Sequence, residues 1–158
     1  GGVPLSAFAG KRAVMENIAP AGRAMHSGTY NANLVNILPG LAFMDEIAHP
    51  DFYPALLARC ERLYAGMGAA FADAGAPARV QATGARFNIL FGGAARGPLT
   101  SYADALRQDG DMALRFYRAC LARGVYFHPA WHHGISAAHT DEDIDHVIAV
   151  TRAAASEL

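Results

Sequence analysis

His49-Pro50-Asp51 is the feature that most constrains this chain. Histidine-proline ends a helix, because proline disfavours the helical region for the residue before it, and aspartate opens a new one by capping. The chain must therefore be read in two parts. Before the break, Leu34, Ile37, Leu38, Leu41, Met44 and Ile47 recur at helical spacing, which predicts a helix from Ala32 to about Ile47. Pro39 lies inside it and predicts a kink or a break, since it removes one backbone hydrogen bond. After the break, Asp51 caps a helix to about Ala74, with Phe52, Leu56, Leu57, Cys60, Leu63, Met67 and Phe71 on its apolar face.

Past Pro77 the period changes. Residues 80–84 and 86–92 read as two strands joined tightly at Gly84. Ser101 to Asp109 reads as a short helix, and Asp111 as the cap of a longer one over Met112 to Arg123. The buried side of that longer helix is Leu114, Phe116, Tyr117, Cys120 and Leu121, with Gly124 as its C-cap. Residues 125–128 and 135–138 read as strands. Thr140 to Asp143 form a capping box that opens a final helix to Glu157. From about Asp51 onward these elements close on themselves as a small α+β unit. Residues 1–48 do not: a strand over 3–8 and a helix over 12–18 call for a sheet that this chain lacks. The opening Gly-Gly-Val-Pro enters that strand within three residues and has no methionine, which suggests the second part of something longer.

Composition removes several classes of function. Hydrophobic residues make up 53% of 158, enough to bury a core. A net charge of −1 offers no basic footprint for nucleic acid. No apolar run is long enough to span a bilayer, and the start lacks the charged and apolar regions of a secretory signal. Cys60 and Cys120 both fall in helical apolar patterns and read as free core thiols of a cytoplasmic protein.

Three places could carry chemistry. Ser27-Gly28-Thr29-Tyr30-Asn31-Ala32-Asn33 is a small, polar turn before a helix, which leaves backbone N–H groups and hydroxyls free to cradle an anion such as phosphate. The plain alternative is a helix cap. His128, His132, His133 and His139 cluster around Trp131, but their spacing fits no closed metal site, and a polar loop over a cleft explains them as well. The sole lysine, Lys11, stands beside Arg12 in a turn, where it reads as solvated rather than as a Schiff-base former. There is no Ser-His-Asp pattern, P-loop or dinucleotide fingerprint.

The stretch Gly1-Gly2-Val3-Pro4-Leu5-Ser6-Ala7-Phe8-Ala9-Gly10-Lys11-Arg12 resembles the segment just after the catalytic lysine of class III aminotransferases. The resemblance is nearest to the glutamate-1-semialdehyde aminomutase branch. It continues through Gly28-Thr29-Tyr30-Asn31-Ala32-Asn33, Gly124-Val125-Tyr126 and residues 136–145, in the family's order over essentially the whole chain. It implies the fold-type I architecture, α/β and α+β. Residues 1–48 would be the tail of the large pyridoxal-phosphate-binding domain, and residues 51–158 the small C-terminal α+β domain.

It also implies a homodimer with the active site at the interface, pyridoxal 5′-phosphate as cofactor, and transfer of an amino group between an amino compound and a keto acid or aldehyde. Gly28 and Thr29 would bind the cofactor phosphate of the neighbouring subunit. The Schiff-base lysine would lie before Gly1, so no catalytic residue is assigned within this chain. Trp131, His132 and His133 are expected to line the substrate entrance. Two departures stand out. Residues 130–134 replace the branch's Phe-Glu-Ala-Gly stretch in a slightly shorter loop, which argues against aminomutase activity, and Leu34 follows Asn33 where the family commonly has proline. The alternative from another class is a non-catalytic piece or a dimerisation or binding module lacking the lysine.

Overall fold

The computed structural model describes residues 3–129 and 132–158. The chain divides into two compact units, Gly1–Phe52 and Tyr53–Leu158.

The first unit holds two helices, α1 (Arg12–Met15) and α2 (Leu34–Ile47). Residues 3–10 form no strand: they are mostly exposed, with no neighbouring strand among the described residues of the unit to accept their hydrogen bonds. α1 is one turn rather than a helix to Ile18, and Lys11 is its N-cap residue. α2 starts two residues later than its periodicity predicts. Ala32 adopts a left-handed conformation, φ 57°, and the Asn33 side chain then caps the helix by accepting the Val35 N–H at 2.9 Å. The helix runs unbroken through Pro39, so the break expected there does not occur.

The second unit packs three long helices against one face of a small antiparallel sheet. Its elements are α3 (Phe52–Asp73), β1 (Ala78–Thr83), β2 (Arg86–Phe91), α4 (Tyr102–Ala105), α5 (Gly110–Leu121), β3 (His133–Gly134) and α6 (Asp141–Ala155), with a short 3-10 turn over Gly93–Arg96. The sheet order is β1-β2-β3. In β2 Phe87, Ile89 and Phe91 enter the core while Arg86 and Asn88 stay exposed; Leu90, on the outer face, is buried as well. Met67 and Phe71 from α3, Phe116 and Cys120 from α5, and Ile144 and Ala154 from α6 close over them. Phe116 is the hub, with its ring 5.4 Å from both Phe71 and Phe91 and 6.2 Å from Phe127. Cys60 and Cys120 are buried free thiols.

Several expectations need correction. Leu57, Leu114 and Leu121 are exposed or nearly so, because each sits at the edge of its helix's apolar arc. The cap of α5 is Asp109, not Asp111: its carboxylate accepts the Met112 N–H at 2.9 Å, so the helix starts at Gly110. Residues 125–128 are not a strand. Val125 and Phe127 are buried and Tyr126 is exposed, which mimics strand alternation, but no strand lies alongside to pair. Residues 135–138 are not a strand either. The paired residues are His133 and Gly134, and the Ser136 N–H then donates to His139 Nδ1 at 3.1 Å in a turn. Gly124 closes α5 with φ 83°, and the Thr140–Asp143 capping box opens α6 as its sequence requires.

Candidate functional site

The Gly28–Thr29 turn is built by local bonds. The Asn31 N–H donates to the Gly28 carbonyl at 3.0 Å, and the Asn33 N–H to the Tyr30 carbonyl at 3.2 Å. That geometry turns the chain into the N-terminus of α2. Gly28 and Thr29 are exposed, and their backbone N–H groups and the Thr29 hydroxyl make no hydrogen bond to another described residue. The donors are thus free while the backbone around them is held. A Cβ at Gly28 would lie 2.8 Å from Asn31 Oδ1, so a side chain there would displace the exposed Asn31 amide. A hollow of about 490 Å³ next to the turn is lined by His26, Tyr30, Asn31, Asn33 and Asn36, but by neither Gly28 nor Thr29. The free donors suit an anion that approaches from outside this unit. Neutral N–H and O–H groups near a helix N-terminus are the right chemistry for a phosphate ester, so the pyridoxal-phosphate reading passes this test.

The histidines separate. His133 is 8% exposed, with its ring 4.9 Å from Phe127, 5.2 Å from Phe87 and 5.7 Å from Tyr117. Its Nε2 is buried without a hydrogen-bond partner. Burial, reinforced by the neighbouring His132 and His128, pushes its pKa down to about 4, so the ring is neutral at physiological pH. It lines a cavity of about 630 Å³ together with His128, His139, Asp143 and His146. His132, the preceding residue, points to the opposite face of β3 and lines a different hollow. Trp131 lies outside the described residues. Among the described residues no group of three histidine, cysteine or acidic side chains could hold a metal ion.

The sequence reading passed over the outward face of the sheet. Gln81, Thr83, Arg86 and Asn88 share that face with His132. The period-2 alternation of β2 was the signal that could have revealed it.

No helix among the described residues is long and apolar enough to cross a membrane. No family model matches the chain. Among curated proteins, it is 37% identical to a glutamate-1-semialdehyde 2,1-aminomutase from Desulfosudis oleivorans, over 100% of this chain and 37% of that protein. It is 41% identical to the protein of the same name from Laribacter hongkongensis, over 98% of this chain and 36% of that protein. The chain therefore spans little more than a third of the length of these relatives. Among solved structures, a β-phenylalanine aminotransferase from Variovorax paradoxus matches with a TM-score of 0.81 and 28% identity, over 91% of this chain and 33% of that one. An omega-transaminase from Sphaerobacter thermophilus matches with a TM-score of 0.80 and 28% identity, over 92% of this chain and 34% of that one.

Proposed function

Because this chain belongs to the class III, fold-type I aminotransferases, in the glutamate-1-semialdehyde aminomutase-like branch, whose cofactor is pyridoxal 5′-phosphate, we propose that it is the C-terminal portion of such an enzyme. The enzyme would move an amino group between an amino compound and a keto acid or aldehyde. The bound cofactor supplies an electron sink for that exchange. In this reading residues 1–48 are the tail of the large domain and residues 51–158 the small domain. The protein is a cytoplasmic homodimer.

The observation that carries the reading is the free donor set at Gly28 and Thr29, held rigid by the turn that starts α2. These groups bind the cofactor phosphate of the partner subunit: the Thr29 hydroxyl and N–H donate, and the bare Gly28 lets the phosphate approach the backbone. Lys11 is exposed and only starts a single-turn helix, so the lysine that moves the proton is a different residue. Of the residues expected at the substrate entrance, His132, exposed beside the sheet, keeps that role in this reading, while His133 anchors β3 in the core.

The test uses the dimeric enzyme with its reactive lysine. Thr29→Val removes one hydroxyl donor to an anion, and cofactor affinity measured by visible absorbance should fall by roughly tenfold, about 1.5 kcal/mol. Thr29→Ser should restore most of it. Unchanged affinity in Thr29→Val would remove the phosphate role. Borohydride trapping of cofactor on Lys11 of the present chain, with turnover of amines, would overturn the assignment of the lysine elsewhere.

A further inference from the structure

The outward face of the sheet has one closed end and one open end. At the closed end Arg79 is fully engaged: it donates to the Ala95 carbonyl at 3.3 Å, to Gln81 Oε1 at 3.1 Å and to the Gly97 carbonyl. Gln81 is clamped in turn, accepting the Leu99 N–H at 3.0 Å and donating to the Leu99 carbonyl at 3.4 Å. At the open end lies a hollow of about 210 Å³, lined by Gln81, Thr83, Arg86, Asn88, Leu99 and His132 among others. Strand register puts these groups together: Thr83 pairs with Arg86, Gln81 with Asn88, and Gly134 with Arg86.

Four arginines of this unit, Arg59, Arg62, Arg107 and Arg123, each meet a carboxylate; Arg86 is among those that do not. Arg86 makes no ion pair or hydrogen bond with a described residue, and among the described residues no acidic side chain lines the hollow. The site makes room for it: a Cβ at Gly134 would stand 3.3 Å from Arg86 Cδ, so the glycine opposite leaves space for the arginine stem. A guanidinium with no counter-charge among the described residues, bordered by the Asn88 amide and a neighbouring imidazole, can receive an anion, and its planar fork matches a carboxylate.

We propose that this hollow binds a carboxylate, with Arg86 clasping its two oxygens, Asn88 and Thr83 offering further donors, and Leu99 forming an apolar wall for the adjoining carbon. The aminotransferase reading enters only in naming the carboxylate's owner. On that reading it is the amino or keto acid substrate, and His132 stands beside it at the entrance.

The binding claim needs neither cofactor nor turnover, so it can fail or stand separately from the reading above. The 158-residue chain is titrated with propionate and followed by NMR. The Arg86 Nε–H, the Asn88 side-chain amide and His132 should shift together. Arg86→Gln should weaken propionate at least tenfold with an unchanged far-UV spectrum, and Arg86→Lys should recover part of that loss. Undiminished binding in Arg86→Gln overturns the proposal. So does equal displacement by chloride, which would reduce Arg86 to a plain counter-charge. In the assembled enzyme, Arg86→Gln should raise KM at least tenfold for a carboxylate-bearing amine and leave KM for an uncharged amine unchanged. If propionate binding is lost but both KM values hold, the carboxylate site stands and its ligand is a free carboxylate other than substrate.

Discussion

α2 places Leu34, Leu38, Leu41 and Met44 along one side, much as α3 places Leu56, Cys60, Leu63 and Met67 along one of its own. In α3 that stripe vanishes from solvent: Met67 is 0% exposed and Cys60 1%. In α2 Leu34 remains 66% exposed and Leu38 60%, and Gly40 is the one buried residue of the helix. Helical periodicity therefore says that a helix has an apolar face, but not what covers it. The second unit contains its own cover in β2, α5 and α6. Among the described residues the first unit covers α2 only at Gly40, under Leu5, and on the proposed reading the rest of its cover is the remainder of the large domain and the partner subunit.

The largest expected difference between the two regions is in the cost of truncating an apolar side chain. Phe116→Ala, at the hub of the core, should cost about 3–5 kcal/mol in urea denaturation followed by far-UV circular dichroism. Leu38→Ala in the same chain should stay within about 0.5 kcal/mol, since its side chain already meets water. A cost for Leu38→Ala comparable to that for Phe116→Ala would mean that α2 is covered in solution and would end the contrast.

Next in size is the acid response of the second unit. The pKa of His133 is pushed down to about 4 in the folded chain, from 6.5 when exposed. A histidine depressed in this way holds its full stabilisation above 6.5. It loses it as pH falls toward 4, because the unfolded chain takes up the proton first. Allowing for screening by water in the adjoining cavity, the loss is about 2 kcal/mol. His133→Phe keeps a ring against Phe87, Tyr117 and Phe127 but removes the titration, so stability between pH 6.5 and 4 should become flatter by that amount. A parent and variant with the same pH slope would show that His133 does not titrate as its burial requires.

The smallest effect comes from the caps. Thr140→Ala removes an acceptor from a helix welded into the core and should lower global stability by about 1 kcal/mol. Asn33→Ala removes the equivalent acceptor from α2. It should fray that helix, seen as faster amide exchange at Val35, with little change in the denaturation midpoint. A matching drop in the midpoint would tie α2 to the core.

Much of this molecule was legible before any coordinates. The break near Pro50, most of the α3 face, the tight turn at Gly84 and the Thr140 box all rest on local rules of capping, turn chemistry and periodicity, and the structure keeps them. Residues 3–8 and 125–128 were misread for one reason. A strand needs a neighbour to receive its hydrogen bonds, and among the described residues neither the exposed segment 3–8 nor the half-buried segment 125–128 has one. At the candidate sites, the Gly28–Thr29 turn was visible as a run of small polar residues. The sheet-face hollow was not, because His132 is far in sequence from Gln81 and Arg86 and joins them only through strand register.

The sequence by itself determined that these helices form, roughly where they begin and the centre of each apolar face, since each depends on interactions within a few residues. Only the tertiary structure decided that His132 and His133, adjacent in the chain, part to opposite faces of β3, one toward an open hollow and the other into an aromatic core. The reason is pairing: two contacts between β2 and β3 set the register, and a shift of one residue would exchange the fates of the two rings.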